Sequence, residues 1–422
     1  MIIPNLKHSP KGGAWRGLCL LSLLALACLP VVAKDKDKKK EENKDSLIFT
    51  TVIANPVTSI KNQNSSGTCW SYSSLAFLES EAIKKHPEMK DDLDLCESFL
   101  VSKTYVDRAD KHVRTHGDAS FSQGGSFEDA LYCMEHYGLI PEGIMPYPIT
   151  EYGDSLFNFK SLFPPMEAYL KSIAPSDAKK ILHKGWKPAL QAMLDGYFGK
   201  CPTEFEYKGK RYTPQSFVKD YLTLDPNDYV SLTSYTHHPY YSTFALEIQD
   251  NWRWASSYNL PLDEFCRVMY ESVKNGWTFA WGADVSEDGF SRRNGKNKSV
   301  AMVPDAGYKK GEVGSDQARW TGEKGKKEEV IVSANAEKAI TPEMRQEAYD
   351  NWETTDDHGM QIYGIAKDQY GKEYFMMKNS WGESGPFKGF WYVSQAYAAY
   401  KTMNIVINKN AIPADIRKKL GI

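Results

Sequence analysis

Two runs in the last sixth of the chain constrain its fold most. HGMQIYGIAKD (358–368) and KEYFMMKNSWG (372–382) flank a polar turn at Gln369–Gly371, the pattern of an antiparallel hairpin. Walking back from that turn brings His358 within a residue or two of register with Asn379 on the opposite strand. An imidazole and a carboxamide are therefore brought together by strand pairing.

A second segment, NQNSSGTCWSYSSLAFLESE (62–81), lies far upstream. The residues before it, SLIFTTVIANPVTSIKNQ (46–63), are strand-like and break at Pro56. From Cys69 the pattern turns helical: Trp70, Ser73, Ser74, Phe77 and Ile83 line one face, and His86-Pro87 ends it. Cys69 thus stands at a helix N-terminus. A free cysteine alone is most simply a small buried hydrophobe, so its company has to decide its role.

Further helices are expected over DLCESFLVSKTYVDRADK (94–111) and after the Gly124-Gly125 loop in SQGGSFEDALYCMEHYGLIPEG (122–143). Residues 150–275 read as mostly helical and rich in aromatics. NGWTFAWGADV (275–285) is a buried-strand candidate, and 286–340 reads as an exposed excursion rich in Gly, Lys and Glu. There is no internal repeat.

These pieces supply the parts of a thiol nucleophile. A helix N-terminus and an imidazolium both favour the thiolate. The imidazole returns its proton to the leaving amine, and an Asn carbonyl fixes its tautomer and ring angle. A backbone N–H at the nucleophile and a side-chain amide upstream stabilise the oxyanion. Cys69, His358 and Asn379 fill the first three roles and Gln63 the upstream amide. Gly67 allows close approach of a substrate backbone, and Trp381 can shield the His358–Asn379 hydrogen bond from water. Asp357 either tunes the ion pair or is a polar strand end; both readings stay open.

Q-x5-C-W followed far downstream by H…NSWG resembles the papain superfamily. The fuller likeness is to the bleomycin hydrolase / aminopeptidase C family, carried by SGTCW, SLTSYTHHPYYSTFALEIQDNW, YNLPLDEF and the long Cys69-to-His358 separation. It covers roughly residues 45–420. The resemblance implies an α+β papain-like fold, with a helical left subdomain, a β-barrel-like right subdomain and a mainly helical insertion over roughly 150–340. It implies a cysteine peptidase in which Cys69 is nucleophile, His358 general acid/base, Asn379 orienter and Gln63 oxyanion donor, acting through an acyl-enzyme without a cofactor. Gly124 and Gly125 resemble the segment that holds substrate backbone in papain-like enzymes. Ser66 stands where secreted papains often have a disulfide cysteine. The family's C-terminal arm, whose end holds the substrate's α-amine, has no counterpart after MNIVINKNAIPADIRKKLGI (403–422), so an opened site with endopeptidase activity is an expectation. A hexameric ring is implied by resemblance alone. The competing expectation is a catalytically silent binding or scaffold protein on the same fold, and a transferase using the same Cys/His pair is a third.

Composition bounds the remaining classes. The 422 residues are 41% hydrophobic with 11 Trp and 25 Tyr, which suits a large folded enzyme or a glycan binder and argues against disorder. A net charge of −2 gives no reason to expect a nucleic-acid partner. Residues 1–33 read as a signal peptide, with Lys7, Lys11 and Arg16 ahead of the apolar stretch Leu18–Ala33 and small residues at Val31–Ala33. The stretch is short for a retained membrane anchor. Export to the periplasm or outside is expected, with lipidation of Cys28 in ALAC as an alternative that would add a membrane partner. Residues 34–45 are a charged linker, followed by the peptidase domain over 46–422. Cleavage would leave Cys69, Cys96, Cys133, Cys201 and Cys266, an odd number in an exported chain. His237 and His238 read as structural, because neighbours on an extended chain point opposite ways and no carboxylate cluster is evident; no metal site is assigned.

Overall fold

The chain enters through β1 (Phe49–Ala54) and turns into α1 (Cys69–Lys85). The computed structural model describes residues 47–145, 158–174, 182–287, 289–290, 298–304 and 337–422. The signal-like segment, the charged linker and most of the 286–340 excursion, including EEVIVSA (328–334), lie outside the described residues.

Lys84 and Lys85 occupy the last turn of α1, where cations meet the negative end of the helix dipole. The helix stops at His86 because a residue before proline is driven out of the α region. α2 spans Glu97–Arg114 and α3 Phe127–His136. Ser126 and Asp129 close a reciprocal capping box at the start of α3. α4 (Phe159–Ile173) and α5 (Trp186–Phe198) pack beside α2. Their buried aromatics and leucines form one core with those of α1, including Trp70, Phe77, Phe99, Tyr105, Phe159 and Phe198.

Beyond α5 the expectation of a mostly helical stretch fails from Phe205 on. A small hairpin, β2 (Phe205–Tyr207) with β3 (Lys210–Tyr212), is followed by a widened turn of π-helix at Phe217–Leu222. Then come β4 (Tyr229–Thr233), β5 (Thr243–Ala245) and β6 (Ser256–Asn259) before α6 (Leu262–Lys274). The strands are three to five residues long, and β4 is buried at every position, so no alternation marks it.

β7 (Phe279–Ala283) forms as expected. β8 (Val300–Ala301) corrects the picture of an exposed excursion: Phe290 and Val300–Val303 are core residues. α7 (Pro342–Asp350), β9 (His358–Asp368), β10 (Glu373–Lys378), β11 (Phe390–Ser394), α8 (Gln395–Lys401), β12 (Thr402–Asn408) and α9 (Ala414–Leu420) complete the chain.

One sheet runs β5-β6-β4-β12-β7-β9-β10-β11-β8, with β1 also paired to β9. Its centre is antiparallel: β7 aligns Ala283 with His358, and β10 aligns Lys378 with Gln361. A second core, built on Phe265, Trp281, Met360, Ile362, Phe375 and Ile405, lines this sheet. α1 packs on β9, so the helix carrying Cys69 meets the strand carrying His358. The fold is α+β.

Candidate active site

Cys69 is the first residue of α1, half-buried and free. β9 can approach it because Gly359 has no side chain: a Cβ there would lie 2.6 Å from Ser73 Oγ. The Gly359 and Trp70 amides hydrogen-bond the Cys69 sulfur, and both favour its anion. Burial outweighs them and pushes the thiol up to about 12, with Asp250 and Asp356 adding to the rise. The thiolate therefore needs a cationic partner.

His358, the first residue of β9, is buried. Its Nε2 lies 2.8 Å from Asn379 Oδ1, and the Ser380 amide donates to the same oxygen at 2.7 Å. That second bond fixes which end of the Asn379 amide is oxygen, because reversal would set NH2 against N–H. Nε2 must then be the donor, leaving Nδ1 as the basic atom of the neutral ring. Trp381 covers the imidazole, with ring centroids 4.6 Å apart and planes 23° from parallel. Phe290 and Trp391 wedge Trp381 from the side.

Gln63 is buried and held at both ends. Ser380 Oγ donates to its Oε1 at 2.6 Å, and its Nε2 donates to Ser66 O at 2.8 Å. One amide hydrogen remains beside the loop that leads into Cys69. Ser380, absent from the sequence-based site, thus links Gln63 to the His358–Asn379 pair, and only its place in NSWG hinted at this.

Of Gly67, Gly124 and Gly125, packing explains two. The Gly67 amide donates to Gln123 Oε1 at 2.9 Å, and a Cβ on Gly67 would lie 2.9 Å from Gln123 Cβ. A Cβ on Gly125 would lie 2.8 Å from the Trp70 ring. Gly124 differs: its Cβ would stand 1.9 Å from Asp250 Oδ2. Arg108, buried on α2, donates to Gly124 O and lies 3.4 Å from Asp250 Oδ1. Ser122 Oγ reaches the same oxygen at 3.4 Å. Two and three residues on, Trp252 and Arg253 anchor to Asp129. Nothing local in the sequence marks Arg108 or Asp250.

Asp357 has partners of its own beside the imidazole's strand. It accepts from the Ser286 amide at 3.0 Å and from Thr355 Oγ1 at 2.9 Å, the arrangement of a polar strand end. The other described cysteines, Cys96, Cys133, Cys201 and Cys266, are all free. Burial raises the thiol pKa of each.

A family model described as "Papain family cysteine protease" matches residues 50–185, and "Peptidase C1-like family" matches 201–300 and 332–421. Between them these matches take in Cys69, His358 and Asn379. This chain is a cysteine peptidase of the papain-like aminopeptidase C family. The peptidase is 23% identical over 406 residues to Aminopeptidase G of Lactobacillus delbrueckii subsp. lactis, covering 89% of this chain and 86% of that one. It is 21% identical over 418 residues to Aminopeptidase C of Streptococcus thermophilus, covering 90% and 87%. Cysteine proteinase 1, mitochondrial, of Saccharomyces cerevisiae is 23% identical over 423 residues, covering 91% and 81%. The crystal structure of PepW from Lactobacillus rhamnosis superposes with a TM-score of 0.62 at 21% identity, covering 88% of the peptidase and 84% of that chain. That likeness establishes the papain-like fold.

Proposed function

We propose that the peptidase removes residues from the free amino end of peptides, with Cys69, His358, Asn379 and Gln63 doing the chemistry and Asp250 receiving the substrate's α-ammonium group. The proton of the Cys69 thiol passes to His358 Nδ1, and the sulfur attacks the scissile carbonyl carbon. The free Gln63 amide hydrogen and the backbone N–H of Cys69 stabilise the oxyanion. His358 then protonates the leaving amine, and water, deprotonated by the same ring, hydrolyses the thioester. Asn379 keeps Nε2–H engaged throughout.

The observation that carries the amino-end preference is Asp250 Oδ2, set against Gly124 with both weak contacts of the carboxylate on its other oxygen. A charged hydrogen bond of this kind contributes about 1.5–3 kcal/mol, roughly tenfold or more in rate. The test compares two fluorogenic peptides, one with a free N-terminus and one acetylated, using Cys69→Ala as blank. The free peptide is expected to be cleaved at least about tenfold faster, and Asp250→Asn to erase most of that preference. Equal cleavage of both peptides by the wild type would mean endopeptidase activity and remove the role of Asp250. Cleavage of neither, with Cys69 unlabelled by a thiol-reactive epoxide, would revive the scaffold reading.

Export is supported by the basic start and the apolar stretch Leu18–Ala33, with lipidation at Cys28 as the variant form. A homohexamer is supported by family resemblance. N-terminal sequencing of the cell-derived chain and the mass of its native assembly test the two; an uncleaved or monomeric product would refute them.

A further inference from the structure

The peptidase chemistry leaves one His-rich motif unused, THHPYY at 236–241. The chain there is not extended. Asn259, fully buried on β6, donates its amide to Tyr235 O at 2.8 Å and His238 O at 2.9 Å, and accepts from the Tyr235 amide at 2.9 Å. This clamp bends 235–239 so that two consecutive imidazoles turn to the same side, with ring centroids 4.5 Å apart. Both meet Glu247: His237 Nε2 is 3.3 Å from its Oε2, and His238 Nε2 is 3.0 Å from its Oε1.

Gln346 on α7 fixes the tautomer of His237. Its Oε1 accepts from the Thr236 amide at 2.7 Å and the His237 amide at 3.3 Å, while its Nε2 donates to Asp350 at 2.8 Å. Oε1 is therefore an acceptor, and His237 Nδ1, 3.1 Å away, must carry its hydrogen. In the neutral ring Nε2 then presents a lone pair to a carboxylate oxygen. Two acceptors at 3.3 Å repel unless a positive charge stands between them or the ring is protonated.

We propose that His237, His238 and Glu247 bind one divalent transition-metal ion, zinc foremost. The three ligand atoms lie within 4.8 Å of one another. Bonds of about 2.0–2.2 Å at tetrahedral angles require neighbouring ligand atoms about 3.3 Å apart, which the two measured His–Glu separations approach. The third separation closes by rotation of partly exposed rings, whose side chains are 29% and 33% accessible. Gln346 is the outer partner that metal-bound imidazoles regularly have. Two imidazoles with one carboxylate select zinc, copper or nickel over calcium and magnesium. The ion ties the loop between β4 and β5 to Glu247, three residues before Asp250, and its role is to brace that segment.

Because Cys69 and His358 could themselves capture zinc, the test uses full-length Cys69→Ala protein titrated with Zn²⁺ against a chromogenic chelator. One equivalent is expected to bind at micromolar or tighter affinity and to raise the melting temperature. Glu247→Gln and His238→Ala in the same background are each expected to weaken binding at least about tenfold. Near-UV circular dichroism of these variants shows that they are folded, and Asp415→Asn serves as a control carboxylate elsewhere. No zinc uptake by the Cys69→Ala protein, or uptake that both variants leave intact, overturns the proposal.

Discussion

The helical half and the sheet half hold their shares of the active site by different means. On the helical side Cys69 is placed by backbone alone: it begins α1, and β9 can approach because Gly359 leaves room. On the sheet side His358 is placed by side chains, with Asn379 beneath, Trp381 above and Ser380 linking to Gln63. Neither half contains a working site. The reactive geometry exists only where buried polar bridges join them, and three such bridges can be cut separately.

The strongest bridge is Glu79 on α1 with Lys378 on β10, both buried, with Thr58 bonded to each. Burial raises the Glu79 carboxyl and lowers the Lys378 ammonium, while each charge opposes the shift of the other. Lys378→Met leaves Glu79 without its cation and is expected to cost about 3–5 kcal/mol in urea unfolding, with Glu79→Leu in the same chain restoring most of it. A loss under 1 kcal/mol for the single variant would show that the halves do not depend on this pair.

The second bridge is Ser380 to Gln63. Ser380→Ala frees the amide to rotate, and kcat/KM is expected to fall roughly tenfold to hundredfold with stability nearly unchanged. An unchanged rate would mean that Gln63 is held by Ser66 alone. The third bridge, Asn408 Nδ2 on β12 to Glu81 Oε2 at 2.7 Å, has the smallest expected effect. Burial raises the Glu81 carboxyl from its ordinary 4.5 to about 7. Between those values the folded chain keeps a proton that the unfolded chain has lost, so stability falls as pH rises through that window. Glu81→Gln is expected to remove this slope and to stabilise the protein by about 1 kcal/mol at pH 8. Denaturant midpoints at pH 5 and pH 8 check it, and an unaltered slope would assign the proton elsewhere.

The residues proposed to carry the chemistry were legible because each sits in a local pattern: a helix start at Cys69 and a hairpin for His358 and Asn379. The bridges were not, because Glu79–Lys378 and Glu81–Asn408 join residues separated by most of the chain. Short strands also hid: β4 is buried on both faces, and β8 is two residues long amid lysines and glycines. The shared orientation of His237 and His238 was hidden for a different reason. The rule that neighbours point apart presumes extended backbone, and Asn259, more than twenty residues away, bends the chain so that both face Glu247.

The position of β12 carries a consequence for biosynthesis. A chain lacking residues 402–408 holds β5-β6-β4 and β7-β9-β10-β11-β8 as separate pieces with no strand between them. Domains emerge from the ribosome N-terminal end first, and sheets built from distant segments close late. Cys69 emerges early and His358 late, and the sheet that steadies His358 is joined only once β12, beginning forty-four residues further on, has been made. Translation order thereby leaves the sheet around His358 unjoined to β4 until residues 402–408 are made.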